Sequence, residues 1–511
     1  MASLAPPAGL SATTIRTPLL RRTVPAMLLF GGIIAWLSYD LLLLCRFLGM
    51  GGPWLHAGWA VLTVGLFWLL TLPRRADLRA GPTVATLLVC IAVATLLMVL
   101  GGEGRILYAN LDWQVRDAVL SDMVANPWPF VYPDGALLRA PIGMYLAPAL
   151  VGKAWGRDAA DLALLAQNAV FLGVLLGIGS TLFAGRRRQL VALALFLLFS
   201  GLDILGQIKV GHAAGLTPSA HLEGWGPSQY SSTLTLAFWV PQHALAGWLG
   251  ALAILLWRER RLGLGALLML PPLLALWSPF AAIGMLPFLG VALASEARYR
   301  RIRPADLLLP AIASAMALPA LLYLAAGSGA VGLRLFPIAP AIYLSFLTIE
   351  ILPFLLISMA GLKARFGGAL FVTAALFLLV APLIQIGGWI DFAMRATIPA
   401  LAILIAHLAD MMSGGWPAST RRKGALALLL AIGAATPLTE TVRALTYPPS
   451  PLGRCSVSRA WDETFAVFPK SGYFANPLDL PGTIRPTRLA QAPDDQGRAC
   501  FDRPWQRPEL F

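Results

Sequence analysis

Long apolar runs separated by short polar connections fill most of the first 441 positions of the chain. At about 20 apolar residues per bilayer crossing, they predict about thirteen helices. These centre near residues 35, 65, 91, 173, 197, 247, 269, 287, 315, 350, 376, 404 and 432. The stretch 263–295 is too short for two full crossings and predicts tilted or half-length helices. Four segments break the pattern. Residues 101–141 form a polar loop rich in carboxylates, and 142–160 are amphipathic, the signature of a helix lying at the membrane interface. Residues 207–237 form a second loop rich in Gly and polar side chains, and 442–511 are a polar, Pro-rich tail. The expected organisation is a transmembrane domain over 1–441 and a small exported segment over 442–511. The first apolar run, 24–45, is too long for the core of a cleavable signal.

Composition agrees with the pattern. The chain has 511 residues, of which 58% are hydrophobic and 13% charged, and its mean hydropathy is +0.72. Soluble domains carry about 25% charged residues, so the fold class is an all-α polytopic membrane protein.

The net charge of +14 would suit a polyanion, but its placement excludes nucleic acid as the partner. Basic residues gather at every second connection: Arg16, Arg21 and Arg22; Arg74, Arg75 and Arg79; Arg186, Arg187 and Arg188; Arg258, Arg260 and Arg261. Arg298, Arg300, Arg301 and Arg303, then Lys363 and Arg365, then Arg421, Arg422 and Lys423 continue the alternation. Cytoplasmic connections carry such an excess, which puts the N-terminus in the cytoplasm and loop 101–141 outside. With thirteen crossings the C-terminus is outside as well. Cys455 and Cys500 both fall in that tail, where an oxidising compartment would let them pair. Cys45 and Cys90 lie in or beside apolar runs.

Loop 101–141 holds the most chemistry. Its segment NLDWQVRDAVLSDM carries Asp112, Asp117 and Asp122. On a helix Asp112 and Arg116 share a face, whereas Asp117 points about 140° and Asp122 about 80° away from Asp112. Asp112 is therefore the first candidate for a general base acting on an acceptor hydroxyl or amine, with Asp122 the nearer companion and Asp117 the third. An ordinary ion pair on a solvated helix is the competing reading. Candidate substrate-binding residues are Arg116, Lys209, His212, Glu223, Gln242, His243, Asp391 and Arg395. Arg395, Lys209 and Arg334 are cations suited to a phosphate, with Arg offering two parallel donors. Asp391 and Arg395 are four apart and also suit a boundary ion pair.

The spacing of His212, His221 and Glu223 matches no regular zinc pattern, so no metal is assigned and no cofactor is called for. Trp225, Trp239, Trp248 and Trp389 read as interface aromatics. Glu350 reads as a buried functional or helix-joining acid, and Asp203 as an acid near the outer surface. No phosphate-binding loop, dinucleotide fingerprint or nucleophile elbow occurs.

Asp112, Trp113, Arg116, Trp128 and Pro129, the segment ending at Gly156, the basic turn at Arg186 and the hairpin around Trp277-Ser278-Pro279 carry a resemblance. Together they look like the GT-C superfamily of membrane glycosyltransferases. The chain is also similar to a group of bacterial multi-pass membrane proteins that share SGLDILG, FWVPQHALAGW, WSPFAAIG and DFAMRATIPA. The GT-C resemblance implies a sugar donor linked to polyprenyl phosphate, a glycan, lipid or protein acceptor, and an acid of the first large outer loop as base. The chain departs from that pattern in two places. Its acidic loop follows the third crossing rather than the first, and Asp112-Trp113 replaces the usual paired acids. A multi-pass transporter or flippase is the alternative, suggested by Pro271, Pro272, Pro279 and the intramembrane Glu350.

Overall fold

The protein is described from a computed structural model that covers residues 19–71, 81–212, 216–330, 332–387, 390–414, 419–495 and 499–505. Arg16, Arg74, Arg75, Arg79 and Trp389 lie outside the described residues.

The apolar runs form helices because most consist of Leu, Ala and other good helix formers, and a helix satisfies its own backbone hydrogen bonds in an apolar medium. Among the described residues seven helices are long and apolar enough to cross a membrane: Ala26–Phe47, Pro53–Thr71, Arg157–Ser180, Arg186–Lys209, Pro279–Arg298, Asp306–Ala325 and Thr420–Thr446. An eighth is formed if Pro340–Glu350 and Leu352–Gly361, bent by 57° at their junction, count as one crossing. Val84–Leu100, Leu264–Leu274, Ala369–Leu383 and Ile398–Met412 are apolar but shorter. At 1.5 Å per residue the shortest of these spans about half of a ~30 Å hydrocarbon layer. In the stretch 263–295 only the first arm is short, since Pro279–Arg298 has 20 residues.

Three of the basic turns, those near Arg186, Arg261 and Arg365, are tied together. Arg365 pairs with Glu259 and donates to the Leu182 carbonyl, and Arg261 donates to Thr181 Oγ1 at 2.7 Å. The polar loops and the tail also meet.

The segment expected as one interfacial helix over 142–160 is instead two helices, Gly143–Trp155 and Arg157–Ser180. They part at Gly156, whose φ of +89° is open to glycine. The first is largely buried, including Tyr145, because the loop helix Trp113–Ala125 packs over it. That loop helix is itself buried on most faces, so it is not a solvated surface helix.

The tail is likewise no separate appendage. Phe130–Val131 pairs in parallel with Ala490–Gln491, and Leu137–Leu138 pairs antiparallel with Phe474–Ala475. Cys455 and Cys500 are disulfide-bonded, closing the tail on itself. A third ribbon, Leu333–Leu335 with Ile384–Ile386, stands apart from the tail.

Candidate functional site

The loop helix is fixed at its first turn. Asn110 accepts from the Asp112 amide at 3.1 Å and donates to the Phe238 carbonyl at 2.7 Å. The same carbonyl accepts from the Trp113 indole at 2.8 Å. These contacts seat Asp112 where Thr233–Trp239 gives way to Pro241–Arg258.

Asp112 and Arg116 pair at 3.3 Å, with side-chain exposures of 22% and 4%. Arg116 reaches into the packed interior, and Asp112 stays partly exposed. The Arg116 guanidinium also donates to Gln242 Oε1 at 2.9 Å and to the Tyr145 hydroxyl at 3.4 Å, and that hydroxyl donates to Gln242 Oε1 at 3.0 Å. Because Gln242 Oε1 accepts twice, its amide nitrogen faces His243 Nε2, 3.4 Å away, as donor. His243 Nδ1 then carries the hydrogen and donates to Ser278 Oγ at 2.8 Å. Ser278 caps Pro279–Arg298 by accepting from the Ala281 amide at 3.1 Å. One hydrogen-bonded chain thus joins the loop helix, the buried Gly143–Trp155 helix and the helices Pro241–Arg258 and Pro279–Arg298.

Arg395 lies within electrostatic reach of His243, as Arg116 does, and pairs with Asp391 at 3.0 Å. The Nε groups of Arg116 and Arg395 are buried without an acceptor. Two cations with unused donors therefore flank one histidine, while the partly exposed Asp112 sits beside the first. Such a group can attract an anion by its charge and place a carboxylate next to it.

The tail roofs this group. Thr464 donates to Gln114 at 2.5 Å, the Arg139 amide donates to the Tyr473 carbonyl at 2.6 Å, and the Arg139 guanidinium holds the Ser471 carbonyl. Tyr473 stands within electrostatic reach of both Arg116 and Tyr145.

Asp117 and Asp122 are not brought to Asp112. Asp117 faces Arg157 at 3.6 Å, and Arg157 also holds Asp161 at 2.8 Å. Burial pushes the Asp117 carboxyl up, and Arg157 opposes the shift. Asp122, expected as the companion of Asp112, accepts instead from the Tyr132 hydroxyl at 2.9 Å and from the Val457 amide of the tail at 2.8 Å. Burial pushes its carboxyl up to about 7, against those two hydrogen bonds.

The candidates of the second loop also lie elsewhere. Lys209 contacts Ser345 Oγ, His212 Nδ1 meets Gln207 Oε1 at 2.8 Å, and Arg334 donates to Gln385 at 2.7 Å. Glu223 is buried, accepts from the Ser232 amide at 2.7 Å, and is pushed up to about 8 by burial and by the neighbouring Asp203 carboxyl.

Three tryptophans read as interface aromatics are anchors instead. Trp225 donates to Glu350 at 2.7 Å, Trp239 donates to Glu440 at 3.0 Å, and Trp248 is buried against Phe196. His221 pairs with Glu440 at 2.8 Å over the Trp239 ring. Among the described residues no group of three or more His, Cys, Asp or Glu side chains is placed to hold a metal ion.

Sequence reading missed Tyr145, Ser278, Asn110, Arg139 and Tyr473. Only Ser278 carried a local signal, as a Ser-Pro helix start; the others become legible once loop, tail and membrane helices are packed together. No protein-family model, curated protein or solved structure matches the chain.

Proposed function

We propose that the chain is a GT-C-type glycosyltransferase of about thirteen crossings in a bacterial inner membrane, with loop 101–141 and the tail on the outer face. It would move a sugar from a polyprenyl-phosphate-linked donor to a glycan, lipid or protein acceptor. The observation that carries this reading is the partly exposed Asp112 carboxylate paired with the buried Arg116 guanidinium, with Arg395 within electrostatic reach of the same His243 and each arginine keeping its Nε donor unused.

In this reading Asp112 takes the proton of the acceptor hydroxyl or amine as that atom bonds to the anomeric carbon. The bond from that carbon to the phosphate oxygen breaks, and its electron pair leaves on the lipid phosphate. Arg116 and Arg395 stabilise the developing charge in a site poor in water. Gln242, Tyr145 and His243 orient Arg116 rather than react. Asp117 and Asp122 hold the loop helix in place and take no part in the chemistry.

The test is transfer of radiolabelled sugar from a panel of polyprenyl-phosphate sugars by the purified protein. Asp112→Asn keeps the shape and removes the base, so transfer should fall by about 10²–10⁴-fold with folding and donor binding retained. Unchanged turnover in that variant would remove the reading.

A transporter is the second reading, favoured by the 57° bend after Glu350. It predicts substrate movement across sealed vesicles that does not depend on Asp112.

A further inference from the structure

Three helices break where they meet. The Arg186–Lys209 segment unwinds between Leu198 and Asp203, Pro340–Glu350 bends into Leu352–Gly361, and Thr420–Gly433 gives way to Ala435–Thr446. The Leu202 amide donates to the Ile349 carbonyl at 3.1 Å, which joins the first break to the second. A Cβ on Gly433 would lie 2.7 Å from the Ser200 carbonyl oxygen, so the third break presses on the first. A Cβ on Gly201 would lie 2.2 Å from Glu350 Oε2, which leaves room there only for glycine.

Two carboxyls occupy this junction, Asp203 and Glu350, each 1% exposed. One oxygen of each is satisfied. Asp203 Oδ2 accepts from the Ser200 and Thr436 hydroxyls, both at 2.7 Å, and Glu350 Oε1 accepts from the Trp225 indole at 2.7 Å. The other two oxygens, Asp203 Oδ1 and Glu350 Oε2, have no donor, although the carboxyls are within hydrogen-bonding contact of one another.

The surroundings bring further acidic groups and no free cation among the described residues. Glu223 faces the pair from the turn Glu223–Trp225, Glu440 lies within electrostatic reach of Glu223, and Tyr230 lies within reach of Glu350. Arg443 and His221 are engaged on Glu440, at 3.0 and 2.8 Å. Neither Asp203 nor Glu350 has an ion-pair partner among the described residues. Two buried carboxyls in contact repel strongly when both are charged, and a buried charge without a partner is costly.

We propose that Asp203 and Glu350 form a binding site for one monovalent cation, a proton or a sodium ion, taken up between their two unsatisfied oxygens. One such charge supplies what both acceptors lack. Unwound segments and half-helix ends at a helix break offer further carbonyl oxygens to a hard cation. The bound cation pins the three breaks to one another. The site is separate from the Asp112 group and does not rest on the glycosyltransferase reading.

The experiment uses the full-length protein in detergent and reads its thermal unfolding midpoint. One arm exchanges sodium chloride for choline chloride at constant ionic strength and pH; the other varies pH in choline chloride. The wild type should gain about 5 °C from sodium, from acidification, or from both. In Asp203→Asn the amide oxygen keeps the Ser200 and Thr436 donors, and the amide nitrogen donates to Glu350. The variant imitates the occupied site and should lose the response the wild type shows. The arm that goes flat identifies the source: sodium from the first, the proton from the second. Glu350→Gln repeats the comparison from the other side. A wild type that answers to neither arm, a response unchanged in both variants, or failure of both variants to fold would overturn the proposal.

Discussion

Asp122 shows how a single side chain can be assigned by partners far away in sequence. Its helical angle placed it nearest Asp112 among the loop acids, but Tyr132 and the Val457 amide of the tail hold it. Its carboxyl stands at about 7 in the folded protein against an ordinary value of 3.8. Between those values the folded state binds more protons than the unfolded one, so stability falls as pH rises from about 4 to about 7 and levels off above. Hydrogen-exchange protection over residues 457–464, taken relative to the intrinsic rate at each pH, should therefore be higher at pH 5 than at pH 8. Asp122→Asn accepts the same two hydrogen bonds without a charge, so in the variant the protection, again relative to the intrinsic rate, should be high at both values. A pH dependence that survives in the variant would assign the effect to another group. Asp112 and Arg116 are the opposite case. Their pairing needs only a helix and a spacing of four, and both were in plain view in the chain.

At the scale of elements, close packing decides where the cations point. Gly284 of Pro279–Arg298 lies against the end of the helix Asp391–Ala396, which carries Arg395. A Cβ at Gly284 would lie 1.9 Å from the Ala396 carbonyl oxygen, an atom that cannot rotate away. Gly284→Ala should therefore drive the two helices apart, at about 1–3 kcal/mol of stability, and carry Arg395 off the site. A lowered unfolding midpoint with a raised KM for the lipid-linked donor is expected, and an unchanged KM would separate Arg395 from donor binding. The existence of most helices was legible in the apolar runs. The division of 142–160 at Gly156 and the bend after Glu350 were not, because a run of apolar residues has the same composition whether its helix is straight or broken.

At the scale of the molecule, two groupings of different character emerge: basic turns tied together in one, loops and tail in the other. The disulfide spans 45 residues of the tail, and a loop of that size adds about 2–4 kcal/mol to the stability of what it encloses. Replacing Cys455 and Cys500 together by Ser should expose the tail to limited proteolysis while the helical circular dichroism stays unchanged. Equal protease resistance in the two forms would mean that the strand pairs and the Asp122 contact hold the tail by themselves. Sequence alone determined the all-helical membrane character, the alternation of basic connections and the pairing of Asp112 with Arg116. Each of these is local, a matter of how many apolar residues run together or how far apart two charges stand along one helix. Only the tertiary structure decided which acids face a common space. The partners of Asp122, Glu223, Glu350 and Gln242 come from segments up to 335 residues away along the chain, and the pattern of one segment cannot say which other segment packs against it.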